Sequence, residues 1–399
     1  MAKIVAVSNS PMVPTGYGTQ IAQLGLRALS HGHDFSVAAN YGAPVNMEWQ
    51  GIKIYAEGLL KYANDSGPEN IALAARDGGF GLVLADAWPL VADAWHSLPL
   101  IAWVPVDHSP VPPRVAEWCL KGDNKYIVAM SKHGERELLA AGVPRERLTY
   151  IPHAVDRSIW NVDVQPARDL LRVPEKAHLT IITAMNKGKR KSFPEMLAAW
   201  TKFAKVTPDA YLYLHTDKWG HVDGVNLIPL LKALGAPEDR IRWVNSTQMR
   251  AGIPAETLAR LTRSADISLL TTRSEGFCVP VIESQAVGTP VAVTKHCAPP
   301  ELVRDHGHIV DGQLHWEDFQ ESFSMIPNVE QIYFALLANY EATKRGQIDR
   351  AALASTMVEY DADLVYAMHW EPLFKKAAHL FGKQPEPQPL NRAARRAKR

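Results

Sequence analysis

The feature that most constrains this chain is a pattern used twice. Short Val/Ile/Ala-rich runs alternate with amphipathic helical stretches, first over residues 1–155 and again from about Leu179. Strands that read as continuous apolar runs are buried on both faces, which makes them parallel strands covered by helices. In the first half the runs are Ile4–Ser8, Phe35–Ala39, Ile52–Ala56, Leu82–Ala85, Leu100–Val104, Ile127–Met130 and Leu148–Ile151. Thr19 to Ser30 places Ile21, Leu24, Ala28 and Leu29 on one helical face, and Lys132 to Ala141 reads as a helix capped by Ser131 and closed by Gly142.

In the second half the runs are Leu179–Thr183, Tyr211–His215, Ile241–Val244, Ile267–Leu270 and Val291–Thr294, with helices near Phe193–Val206, Leu227–Leu234, Glu256–Ser264 and Pro280–Val287. Two facing, doubly wound α/β domains are the economical reading, with ligands expected beyond the carboxyl ends of the strands, in a cleft between them. The expected boundaries are 1–155, a linker at 156–176, a second domain at 177–359, a closing helix at 360–382 and a disordered basic tail at 383–399. Met325 to about Phe381 reads as helical throughout.

Charge and cysteine content remove whole classes. The sequence has 43 basic and 42 acidic side chains in 399 residues. Residues 384–399 carry five of the cations and one of the anions, so the body has 38 against 41 and is slightly acidic. The tail admits DNA as a partner, but the body has no basic, aromatic-interleaved stripe, so nucleic acid is not favoured. Cys119, Cys278 and Cys297 stand far apart, without disulfide or zinc spacing. No apolar run approaches a membrane span, and a soluble, cytoplasmic protein is expected.

The chemistry is concentrated in Ser274-Glu275-Gly276-Phe277-Cys278-Val279-Pro280-Val281-Ile282-Glu283-Ser284, which follows the strand ISLLTT and enters a helix at Pro280. Amides of Gly276, Phe277, Cys278 and Val279 at a helix amino terminus suit a diphosphate. Glu275 and Glu283 accept hydrogen bonds from hydroxyls on either side of it. Phosphate donors between two hydroxyl acceptors describe a nucleotide-sugar site.

With the following Gly288-Thr289-Pro290-Val291, this E-x7-E setting resembles the donor-site signature of the family 4 retaining glycosyltransferases, also called group 1. The resemblance runs from about residue 1 to 380 and implies the GT-B fold: two Rossmann-like domains with a C-terminal helix crossing back, at Trp370, to the first. It implies that Glu275 contacts the transferred sugar and Glu283 the ribose. Gly16 and Gly18 of Thr15-Gly16-Tyr17-Gly18-Thr19 are similar to the family's glycine loop.

Lys191, in Met185-Asn186-Lys187-Gly188-Lys189-Arg190-Lys191, matches the family's diphosphate lysine, whereas the usual arginine position falls on Met185 or Asn186. Lys187, Lys189 or Arg190 is expected to supply that charge. His108, after the strand LIAWVPV, is similar to a histidine that contacts the donor sugar, and His153-Ala154-Val155-Asp156 resembles an architectural turn.

The expected activity is therefore metal-independent, retaining transfer of a hexose from a nucleoside diphosphate sugar, UDP-sugars first, to a hydroxyl acceptor of unspecified class. No cofactor is expected beyond that co-substrate. Asp361-Ala362-Asp363 spells a metal-binding D-x-D, but within a helical run, and no metal site is expected. The competing readings are a transferase acting on a modified DNA base, a sugar-phosphate phosphorylase, a nucleotide-sugar epimerase and an NAD-dependent oxidoreductase. Against the last, TGYGTQ lacks G-x-G-x-x-G spacing.

Overall fold

The computed structural model describes residues 1–220 and 223–382. Its strands are β1 (Lys3–Asn9), β2 (Asp34–Tyr41), β3 (Met47–Trp49), β4 (Ile52–Tyr55), β5 (Phe80–Val83), β6 (Leu100–Val104), β7 (Lys125–Ala129) and β8 (Leu148–Tyr150) in the first half. The second half holds β9 (His178–Thr183), β10 (Ala210–His215), β11 (Ile241–Trp243), β12 (Ile267–Leu270), β13 (Val291–Thr294), β14 (His308–Val310), β15 (Gly312–Glu317) and β16 (Ser322–Pro327).

The first sheet has the order β3-β4-β2-β1-β5-β6-β7-β8 and is parallel except for edge strand β3, which pairs antiparallel with β4. The second has the order β11-β10-β9-β12-β13-β14, with every pairing parallel. Both change direction next to their first strand, the position where doubly wound folds open a crevice. This is the GT-B arrangement of two Rossmann-like domains.

Four strands escaped the sequence reading. β3 and β14 have three residues each, too few to show a period. β15 and β16 form a separate antiparallel hairpin, so Met325 to Pro327 is strand and the helical segment begins at Val329. The expected helix start at Met325 was misplaced because an amphipathic hairpin strand and a helix entry share the same apolar spelling over so few residues. Residues 156–176 also contain one short helical turn, Arg168–Leu171.

The halves share a core. Ile4, Trp103, Phe277, Ile282, Tyr360 and Trp370 belong to one buried cluster drawn from both sheets and from the closing helices. Trp370 stacks edge-on against Trp103 with centroids 4.7 Å apart, and Glu371 bonds His33 at 2.8 Å. The 383–399 tail lies outside the described residues. No helix among the described residues is long and apolar enough to cross a membrane.

Candidate active site

The Ser274–Cys278 loop leaves the carboxyl end of β12 and enters the helix Val279–Ala286. Pro280 therefore stands at the second helical position, one later than expected, where its missing N–H is equally without consequence. Cys278 turns the chain with φ 84° and ψ 69°, a left-handed conformation that a non-glycine residue holds at a cost. Gly276 faces the first domain: a Cβ there would lie 3.1 Å from Pro105. Phe277 is buried and directs its ring away from the loop, between His153 at 5.2 Å and Tyr360 at 6.0 Å. Burial lowers His153 to about 3, so it packs as a neutral ring.

Glu275, 9% exposed, is gripped by two cations. Lys191 Nζ donates to Oε1 at 2.6 Å and Arg190 lies 2.9 Å from Oε2. Burial alone would raise this carboxyl, but Arg190 and Lys191 hold it below the ordinary range. Arg190 also donates to the Ser274 carbonyl at 2.8 Å, which ties the basic 187–191 segment to the loop. Asn186 does not reach the charge cluster: it is buried, and its amide bonds the carbonyls of Asp217 and Val225. Met185, Lys187 and Lys189 are exposed. Of the residues offered for the missing arginine charge, the fold brings Arg190 to Lys191 and Glu275.

Glu283 sits half-buried in the first turns of its helix, with no ion pair or hydrogen bond to its carboxylate among the described residues. Burial pushes it up to about 7. At the carboxyl ends of β10, β12 and β13 stands a row of buried hydroxyls with no protein partner among the described residues, those of Thr216, Thr271, Thr272, Ser274 and Thr294. Buried polar groups normally find partners, so this edge is chemically suited to receive a polar ligand.

The opposite wall comes from the first sheet. The helix Gly16–Ser30 begins earlier than read, with Thr15 accepting from the Gly18 amide at 3.1 Å. Gly16 has open space around it, whereas a Cβ on Gly18 would lie 2.5 Å from the Val13 carbonyl. Neither glycine adopts a positive φ. Tyr17 donates to Asp86 at 3.2 Å. His108 is buried, its Nδ1 2.8 Å from Asp107, and its carbonyl accepts from His133.

Tyr17 and Asp86 were not singled out in the sequence. Asp86 follows the apolar run LVLA, the same strand-end signal that marked His108.

Three ties close the halves on each other. Glu301 accepts from the Lys132 and His133 amides at 2.8 and 3.0 Å, capping a first-domain helix from the second domain. Cys297 Sγ donates to the Asp107 carbonyl at 3.2 Å. The β15–β16 hairpin exchanges two 3.3 Å backbone bonds between Phe323 and Ser109, while Phe319 packs on Trp88 at 5.0 Å and under the Arg114 guanidinium at 4.8 Å.

The D-x-D spelling is structural: Asp361 caps a short helix and Asp363 pairs with Arg27 at 2.7 Å. No cluster of metal-ligating side chains occurs among the described residues.

Residues 244–326, which hold the loop, both glutamates and most of the hairpin, match the family model for glycosyl transferases group 1. Over that segment the chain is similar to the group 1 glycosyltransferases. Its fold agrees: a glycosyltransferase from Rickettsia africae superposes with TM-score 0.70 at 14% identity, covering 94% of this chain and 98% of that one. Anabaena Alr3699/HepE in complex with UDP-glucose gives 0.68 at 15% identity over 94% and 100%. Sucrose-phosphate synthase from Thermosynechococcus elongatus gives 0.65 at 18% over 96% and 98%.

A D-inositol 3-phosphate glycosyltransferase of Segniliparus rotundus is 30% identical over 118 residues, 29% of this chain. That match spans only 25% of the Segniliparus protein.

Proposed function

We propose that this chain is a group 1 glycosyltransferase that transfers a hexose from a nucleoside diphosphate sugar to a hydroxyl acceptor, with retention of anomeric configuration and without a required metal. The observation that carries this reading is the Lys191–Glu275–Arg190 arrangement at a helix amino terminus, eight residues before an unpartnered Glu283. Lys191 and Arg190 sit where they can turn from Glu275 to the donor diphosphate and offset the charge that grows on the leaving group, with the amides of Gly276 to Val279 beside them. Glu275, released, accepts from hydroxyls of the sugar, and Glu283 accepts from the ribose.

The acceptor hydroxyl attacks on the face the leaving group departs from, and a dedicated protein base is then unnecessary. Gly16 and Gly18 border the cleft from the first half, and His108 lies behind the sugar. A UDP-sugar is the first donor to test, since Alr3699/HepE is bound to UDP-glucose and shares the fold. The exposed cations Lys187 and Lys189 lie along the same segment.

The test is a thermal-shift series of nucleoside diphosphates and their sugars, followed by anomer-resolved NMR of the product. Stabilisation by at least one diphosphate, a product of the donor's own configuration and activity surviving EDTA are expected. No shift with any nucleotide would end the reading, and an inverted product or loss of turnover in EDTA would end its retaining or metal-free part.

A further inference from the structure

Three adjacent strands of the first sheet, β1, β5 and β6, deliver polar side chains to one patch of the cleft wall. Asn9 ends β1 and bonds Thr15 at 2.9 Å, Tyr17 follows in the first helical turn, Asp86 stands beyond β5 and Asp107 beyond β6. This is the direction-change point of the sheet, where doubly wound folds hold ligands. The patch is built and held. Asp107 is fixed by His108 on one carboxylate oxygen and by Cys297 on its carbonyl, and the hairpin clamps the next residue, Ser109. The Asp107 carboxylate nevertheless remains about a third exposed, at 32%.

The charge on this wall is one-sided. Asp107 opposes the ionisation of Asp86, whereas Asp107 itself, although burial would raise it, is held below the ordinary carboxylate range by His108 and Arg190. Burial and Asp107 raise Asp86, while burial and the Asp86 charge hold the Tyr17 phenol protonated. Arg190 and Lys187 face the patch from the second half and favour its ionised carboxylates, with Arg190 bonded to Glu275 and Ser274. Two carboxylates and a phenol oxygen accept from hydroxyls and amines but repel an anion, and repulsion in a half-buried cleft is weakly screened.

We infer that Tyr17, Asp86 and Asp107 form the acceptor-recognition patch, and that it receives a neutral or amine-bearing polyol and turns away a phosphate ester. This rests on the donor reading above, which puts the diphosphate against Lys191 and Arg190 on the facing wall. Selection against the wrong ligand by an unfavourable charge is a common route to specificity.

The experiment titrates glucose, glucosamine, myo-inositol, glucose 6-phosphate and inositol monophosphate by saturation-transfer NMR, with and without the nucleoside diphosphate that stabilises the protein most. At least one neutral or amino polyol is expected to bind at least tenfold more tightly than its phosphate ester. Asp86→Asn and Asp107→Asn are each expected to reduce that ratio several-fold, and Asp107→Glu to restore it in part. Equal or tighter binding of the phosphate ester, an unchanged ratio in both Asn variants, or no binding of any polyol would overturn the inference. Failure of every nucleoside diphosphate to bind would count against the donor reading instead, and the arms without nucleotide would still decide this one.

Discussion

Lys191 Nζ lies 2.6 Å from Glu275 Oε1, although 84 residues separate them in sequence. The pair joins the segment after β9 to the loop after β12, neighbouring strands whose carboxyl ends open on the same cleft. The carboxylate holds the Lys191 cation in place, and a charge organised in advance is the condition under which a transition state is stabilised most.

Lys191→Ala is accordingly expected to lower kcat/KM about 100-fold to 1,000-fold, the range seen when one preorganised electrostatic contact is removed. Steady-state kinetics would check this. Glu275→Gln should reduce kcat similarly while nucleoside diphosphate affinity, read by calorimetry, stays within about threefold. A parent-like kcat for Glu275→Gln would displace the sugar from the position assigned here.

Glu283 yields a pH prediction with a definite sign. Its carboxyl is raised by burial from 4.5 to about 7 in the fold. Between those values the folded chain keeps a proton that the unfolded chain has released, so the contribution is fully present below pH 4.5 and is lost as pH rises through 7. The half-buried position limits it to at most about 3 kcal/mol. Urea unfolding should show Glu283→Gln gaining on the parent between pH 5 and pH 8. Ribose hydroxyls favour the ionised carboxylate, so diphosphate binding should tighten over the same interval in the parent and not in the variant.

The glycine loop separates two positions that look alike. A methyl at Gly18 meets the carbonyls of Val13 and Ser10 at 2.5 and 2.8 Å, whereas one at Gly16 meets nothing within 4 Å. Gly18→Ala is expected to destabilise by about 1–3 kcal/mol, as overpacking commonly does. Gly16→Ala should leave the melting temperature unchanged and affect only ligand binding, a contrast that calorimetry and the nucleotide titration resolve together.

At the domain contact, Glu301 accepts from two backbone amides of the opposite half. Its removal in Glu301→Ala should cost about 1 kcal/mol or a little more, as the loss of a helix cap does. Because the cost falls on the closed arrangement, hydrogen exchange at residues 131–135 should accelerate well before global unfolding. Phe319→Ala should do the same for residues 107–112 through the hairpin. Unchanged exchange in both variants would show that these ties do not hold the halves together.

Much of this was legible from residue order. The βα alternation is a local pattern with a fixed physical reading, and it placed both sheets. Glu275 and Glu283 are eight residues apart on one strand-loop-helix unit, a local relationship legible without the rest of the fold. Residue order also left Arg190, Lys187 and Lys189 as equals, since three cations within four positions differ only in which way the backbone turns at Gly188 and Ser192. The fold separates them by carrying Arg190 to Ser274 and Glu275.

Other features had no local signal. Phe277 read as part of the ligand loop, yet its ring belongs to the shared core because His153 and Tyr360 arrive from elsewhere in the chain. Asp86 and Asp107 became neighbours only when β5 and β6 paired. The sequence by itself determined the elements and the chemistry within each strand-end loop, because those depend on neighbours a few residues away. Which loops face one another across the cleft, and hence which basic and acidic side chains line it, was decided by tertiary structure, through sheet order and the packing of the closing helices on both halves.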